Sequence, residues 1–233
     1  MPDRRRTALI TGGSGGLGAA VVATFLEREW RVVVPWILRR ELDRLEEREG
    51  LELVEADLME PDDVARSARA AIAEADAPLR AVVNLVGGFA AGQRVAETPL
   101  SDFEAQFELN LRPTYLVVRE TLPHLVAGGG GTIVCISSQA AVKPFAGAAG
   151  YCASKAAVLT FAEVVAAEHA DDGIRCNAVL PSMIDTPANR ESMPERMHAK
   201  LVPPEQIASV IHFLSTPESA PTSGAAVPVY GPG

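Results

Sequence analysis

Short runs of consecutive apolar residues alternate along the chain with longer stretches of helical periodicity. The runs Ala8–Ile10, Val32–Val34, Leu51–Glu55, Ala81–Leu85, Thr132–Ile136, Arg175–Val179 and Ala226–Tyr230 read as strands. Between them Leu17–Glu29, Arg39–Glu49, Asp62–Glu74, Ser101–Leu125, Tyr151–His169 and Pro204–Leu214 read as helices. A strand without a polar position, such as Val32-Val33-Val34, suits a parallel sheet covered on both faces. Strand–helix alternation implies βαβ units, and hence an α/β fold: a doubly wound parallel sheet of about seven strands with helices on both faces. Gly50 and Gly173 stop the helices before them, and Gly128–Gly131 is a tight helix-to-strand connection. No repeat or low-complexity linker interrupts the pattern, so residues 1–233 read as one domain.

Composition narrows the function. An apolar fraction of 48% is that of a globular protein, and a formal charge of −9 argues against a general nucleic-acid binder, which needs clustered Lys and Arg. Cys135, Cys152 and Cys176 form neither a CxxC pair nor an even set, which favours a reducing compartment and a packing role. There is no run of about 18 apolar residues to span a membrane. After Arg4-Arg5-Arg6 the apolar stretch ends within four residues, too short for a signal peptide. The expectation is a cytoplasmic protein. His124, His169, His198 and His212 lack ligand spacing, so no metal site is expected.

Directly after the first strand comes Thr11-Gly12-Gly13-Ser14-Gly15-Gly16-Leu17-Gly18, and then a helix. A strand that turns sharply into a helix while its backbone approaches a pyrophosphate needs missing side chains and a helix N-terminus. Some 20 residues on, an acid would hold the adenosine ribose; Trp36 stands there instead. Arg39 or Arg40 can pair with a 2′-phosphate, or simply decorate the helix Arg39–Glu49. That favours NADP(H), with NAD(H) possible. Asp57, after the third strand, can by itself be simply the turn residue before Pro61.

Tyr151 and Lys155 stand four apart, on one helical face. Bringing a Tyr pKa from about 10 to about 7 takes roughly 4 kcal/mol of phenolate stabilisation, which an adjacent ammonium in a dehydrated site can supply. Ser138 ends a strand, where open α/β sheets place their ligands.

Taken together, the glycine turn, Asp57, Asn84-Leu85-Val86-Gly87, Asn110, Ser138, Tyr151, Lys155 and Pro181…Thr186 resemble the short-chain dehydrogenase/reductase superfamily over nearly the whole chain. The resemblance implies a Rossmann-like domain and hydride transfer between a nicotinamide and a carbonyl or alcohol substrate. It gives Tyr151 the proton, Lys155 the nicotinamide ribose, Ser138 the substrate oxygen and Asn110 a relay water. Cofactor contacts are implied at Thr11, Gly12, Ser14, Gly16, Leu17, Gly18, Trp36, Arg39, Arg40, Asp57, Leu58, Asn84, Gly87, Pro181, Ile184 and Thr186. Phe89, Phe145 and Met193 line a substrate pocket or belong to the core. Residues about 186–202, with Gly88–Thr98, would cover the substrate and are expected to be mobile without cofactor. A homodimer or homotetramer is implied as well.

A narrower resemblance links Asn84–Gly92 and Val179–Pro194 to quinonoid dihydropteridine reductases. Those generally carry the ribose acid and lack the serine, whereas here Trp36 and Ser138 stand in those places. Carbonyl reduction therefore ranks first and pteridine reduction second. A dinucleotide-binding sensor or scaffold without turnover is a third reading, which the intact Tyr151/Lys155 pair disfavours.

Overall fold

The computed structural model describes residues 5–231; residues 1–4 and 232–233 of the expected single domain lie outside the described residues. The strands are β1 (Thr7–Thr11), β2 (Arg31–Trp36), β3 (Leu51–Glu55), β4 (Leu79–Asn84), β5 (Gly131–Ile136), β6 (Ile174–Pro181) and β7 (Ala226–Val229). They form one parallel sheet in the order β3-β2-β1-β4-β5-β6-β7. The helices are α1 (Gly18–Leu26), α2 (Pro61–Ala71), α3 (Leu100–Asn110), α4 (Arg112–Ala127), α5 (Ala149–Glu168), α6 (Pro187–Ser192) and α7 (Pro204–Leu214).

Both faces of the sheet are dry. Leu9, Val33, Val82 and Ile133 pack beneath Val64 of α2, Val117 of α4 and Val158 of α5. Ala8, Ile10, Val32, Val83 and Val134 point the other way, onto Val21 and Phe25 of α1 and Ile207 and Ile211 of α7. Burial on both faces is why these strands read as unbroken apolar runs. Strand order reverses between β1 and β4, so the loops leaving their C-terminal ends diverge and open a crevice there.

Three elements differ from the sequence pattern. The helix expected over Arg39–Glu49 is a 3₁₀ turn, Arg39–Arg44, followed by irregular chain. Residues three apart eclipse in a 3₁₀ turn, and this aligns Glu41 with Arg44 (3.4 Å). The single helix expected over Ser101–Leu125 is two helices, α3 and α4, broken at Leu111. Pro113 has no N–H to bond the Leu109 carbonyl, and Asn110 turns inward instead. The segment expected to cover the substrate is folded as α6 and a 3₁₀ turn, Glu195–Lys200. By length and composition α5 is apolar enough to cross a membrane, a property that run length alone misses. Its Lys155, Val158, Ala162 and Val165 are buried within the domain.

Candidate active site

The glycine turn joins β1 to α1 at distances that side chains would forbid. Gly12 has φ +65°, and a Cβ there would lie 3.0 Å from the Val86 nitrogen. A Cβ on Gly18 would lie 2.0 Å from the Gly12 carbonyl oxygen, so α1 can start this close only with glycine. Thr11, expected at the cofactor, is buried; its Oγ1 accepts from the Leu85 N–H at 3.2 Å and ties the turn to the loop after β4. The turn and the N-terminus of α1 face a cavity of about 510 Å³.

The opposite wall of that cavity carries Ser138, Tyr151 and Lys155, together with the predicted Gly87, Phe89, Phe145, Pro181, Ile184, Thr186 and Met193. Ser138 follows β5 and caps a 3₁₀ turn, its Oγ accepting from the Ala140 N–H at 3.1 Å. Its hydroxyl is near enough to the Tyr151 phenol to pull the phenol pKa down. Ser137 donates at 2.7 Å to the Lys155 carbonyl, pinning α5 to the strand end. Lys155 Nζ donates to the Ile136 carbonyl at 3.1 Å. Burial pulls the Lys155 ammonium down to about 8. Burial pushes the Tyr151 phenol up, outweighing the downward pull of Ser138. This arrangement therefore keeps the phenol protonated, whereas adjacency to Lys155 alone predicts a lowered value.

Asn110, at the end of α3, is fully buried with both amide groups engaged. Its Oδ1 accepts from the Gly88 N–H at 2.9 Å, and its Nδ2 donates to Ser154 Oγ at 3.1 Å. Ser154 in turn donates to the Tyr151 carbonyl at 2.9 Å. The side chain thus positions its neighbours and does not line the cavity. Asn84 also stands behind the wall: its Nδ2 approaches Cys135 Sγ at 3.9 Å, and its Oδ1 is buried without a partner among the described residues.

Around the 3₁₀ turn that follows β2 the sequence expectations are redistributed. Ser14 donates at 3.1 Å to Glu41, and Arg44 donates at 3.0 Å to the Ser14 carbonyl. Arg44, not singled out by sequence, reaches the turn; Arg39 and Arg40 are exposed. Asp57 accepts from the Met59 N–H at 2.9 Å in a local turn, and Leu58 is buried. Trp36, Arg39, Arg40, Asp57 and Leu58 all lie outside the lining of the cavity.

The cover is knitted by its own polar contacts. Thr186 caps α6 by accepting from the Asn189 N–H at 3.3 Å, and the Asn189 amide donates to the Ile184 carbonyl at 2.7 Å. Arg190 pairs with Asp185, which holds that carboxyl below its usual range. His198 Nε2 lies 3.1 Å from the Arg190 carbonyl. Sequence reading also missed Lys143, Gln139 and Asn189 on the cavity lining. Ser154, three residues after Tyr151, had a signal in helical spacing; Lys143 had none.

The residues present fit a dinucleotide. A Cβ on Gly16 would stand 2.9 Å from Thr186 Cγ2, and one on Gly87 would stand 2.6 Å from Asn110 Oδ1 and 2.9 Å from Lys155 Nζ. The missing side chains leave a groove from the α1 N-terminus to Lys155, with backbone donors at one end for a pyrophosphate.

The sequence profile of the short chain dehydrogenase family matches residues 6–197. The 2-(R)-hydroxypropyl-CoM dehydrogenase of Xanthobacter autotrophicus is 34% identical over 97% of each chain. The 2,5-dichloro-2,5-cyclohexadiene-1,4-diol dehydrogenase LinX of Sphingobium indicum is 31% identical, covering 97% of this chain and 95% of its own. Among solved structures, the 3-ketoacyl-(acyl-carrier-protein) reductase of Brucella melitensis, complexed with NADH, superimposes with a TM-score of 0.86 at 26% identity over 97% of each chain. The chain accordingly belongs to the short chain dehydrogenase family and is an NAD(P)-dependent oxidoreductase.

Proposed function

We propose that the protein reduces an aldehyde or ketone, or oxidises the corresponding alcohol, with Tyr151 moving the proton. The observation that carries this reading is the convergence of Ser138, Tyr151 and Lys155 on the lining of one cavity. When bound, the nicotinamide supplies or accepts the hydride. Ser138 Oγ already accepts from Ala140, which leaves its proton for the substrate oxygen as negative charge builds there. Tyr151, kept protonated by burial, holds the proton that this oxygen takes up. Lys155 presents its ammonium toward the ribose side, and Asn110 positions Tyr151 through Ser154. Gly12–Gly18 hold the pyrophosphate, while Pro181, Ile184 and Thr186 frame the nicotinamide. Both relatives are dehydrogenases whose names specify hydroxyl-bearing compounds, which supports alcohol–carbonyl chemistry.

NADP(H) is favoured over NAD(H). Trp36 puts no carboxylate at the end of β2, and Arg39, Arg40 and Arg44 crowd the turn that follows. Of the two acids there, Glu41 is engaged by Arg44 and Ser14, and Asp43 is exposed. Exposed apolar residues on α4 and α5, Tyr115 and Val164 among them, support a homodimer or homotetramer built on those helices. Three free thiols support a cytoplasmic location.

The test is NADPH and NADH oxidation with a panel of aldehydes and ketones beside a quinonoid dihydropterin. Carbonyl turnover that drops on the order of 10²–10³ in Ser138→Ala supports the reading. Pterin turnover that survives Ser138→Ala, with none on carbonyls, replaces it with pteridine reduction.

A further inference from the structure

We propose that Lys143 selects substrates that carry an acidic group, a carboxylate or sulfonate, at the end remote from the reacting carbonyl. The inference rests on the carbonyl reading above and narrows its substrate class.

Lys143 lies five residues after Ser138, just past the 3₁₀ turn Gln139–Ala141 that Ser138 caps. Its N–H donates to the Gln139 carbonyl at 2.8 Å, so its place relative to Ser138 is fixed by backbone. The side chain lines the same cavity as Ser138 and Tyr151. Its ammonium stands 5.6 Å from the centroid of the Tyr230 ring, a seat for a cation that leaves its donors available. Among the described residues no carboxylate pairs with it, and the cavity lining contains no Asp or Glu. The other lining cation, Lys155, is buried and donates to the Ile136 carbonyl. Lys143 is thus the one solvent-reaching positive charge on the lining, in a chain of net charge −9.

The space beside it is apolar. The Phe89 ring stands edge-on to Tyr151 at 4.9 Å and lies 6.3 Å from Phe145. Phe89 is 64% exposed and Phe145 50%, unusual for rings that could pack inward. An aryl or alkyl body seated on these rings, with its carbonyl at Ser138 and Tyr151, would extend an acidic end toward Lys143. A charge-assisted hydrogen bond there is worth about tenfold or more in affinity.

The experiment compares 4-formylbenzoate with its neutral methyl ester. Turnover with NADPH and calorimetric binding with oxidised NADP are measured for the wild type, Lys143→Met and Lys143→Arg. The expected result is that the acid-to-ester ratio, in kcat/KM and in affinity, falls tenfold or more in Lys143→Met and recovers in Lys143→Arg. An unchanged ratio in both measurements overturns the assignment of Lys143 even if both aldehydes are reduced. If neither aldehyde is reduced, the carbonyl reading fails, and the binding ratio still decides the role of Lys143.

Discussion

The Asn110 amide donates to Ser154 Oγ at 3.1 Å, joining the end of α3 to the helix that carries Tyr151 and Lys155. Asn110→Ala would leave the Gly88 N–H and the Ser154 hydroxyl without this buried partner. The expected cost is about 2 kcal/mol. In thermal unfolding that is a fall in Tm of roughly 4–8 °C for a chain of this length. Turnover should fall with it, because the position of Tyr151 depends on this tie. Wild-type Tm and kcat in the variant would show that the break between α3 and α4 has no positioning role.

Lys155 gives a pH dependence of definite sign. Its folded pKa of about 8 is below the ordinary value of 10.5, because burial disfavours the ammonium. Between those values the unfolded chain binds more protons than the folded one, so folding gains stability as pH rises through that window. Lys155→Met should therefore be more stable than the wild type at pH 7, with an advantage that shrinks toward pH 10.5. Denaturant unfolding at several pH values checks this. A constant difference would refute the buried-ammonium account.

His212 predicts sensitivity to acid. It packs edge-to-face on Phe25 (5.1 Å) and near Trp30 (6.2 Å), and burial, then Arg28, lowers its pKa from 6.5 to about 4. The unfolded chain thus takes up the extra proton as pH falls from 6.5 toward 4, and stability is lost across that interval. His212→Phe should flatten this part of the stability curve. Unfolding midpoints at pH 4.5 and 7.5 provide the comparison, and parallel curves for both proteins would count against it.

Arg44 is the residue to change for cofactor choice. Arg44→Gln removes the guanidinium over Ser14 and should weaken NADPH relative to NADH by about tenfold. Arg39→Gln and Arg40→Gln should shift the ratio less, since among the described residues Arg44 is the one of the three that bonds the glycine turn. Fluorescence titration with the two reduced cofactors measures it. A larger shift in Arg39→Gln or Arg40→Gln would restore the assignment that sequence alone favours.

The fold was legible because each core strand is buried on both faces, which writes runs such as Val32–Val34 directly into the chain. The site was legible where chemistry fixes spacing: glycines where a Cβ would collide, Tyr151 and Lys155 one helical turn apart, Ser138 at a strand end. What stayed hidden depends on side-chain direction. Arg39, Arg40 and Arg44 are equivalent in sequence, and only the 3₁₀ turn decides which one faces Ser14. Asn110 resembles a helix-interior residue until Pro113 breaks the helix and frees it to bond Gly88. The phenol pKa follows burial at Tyr151, a tertiary quantity that spacing cannot supply.

The central claim is that Tyr151 supplies the proton while the rest of the chain binds and orients. Tyr151→Phe removes only the hydroxyl from a ring held by Phe89 at 4.9 Å. The decisive measurement is single-turnover reduction of 4-formylbenzoate methyl ester by NADPH-loaded Tyr151→Phe, with cofactor affinity measured on the same preparation. The account predicts a rate lowered by about 10²–10⁴ with NADPH binding retained. A wild-type rate in that variant would contradict it.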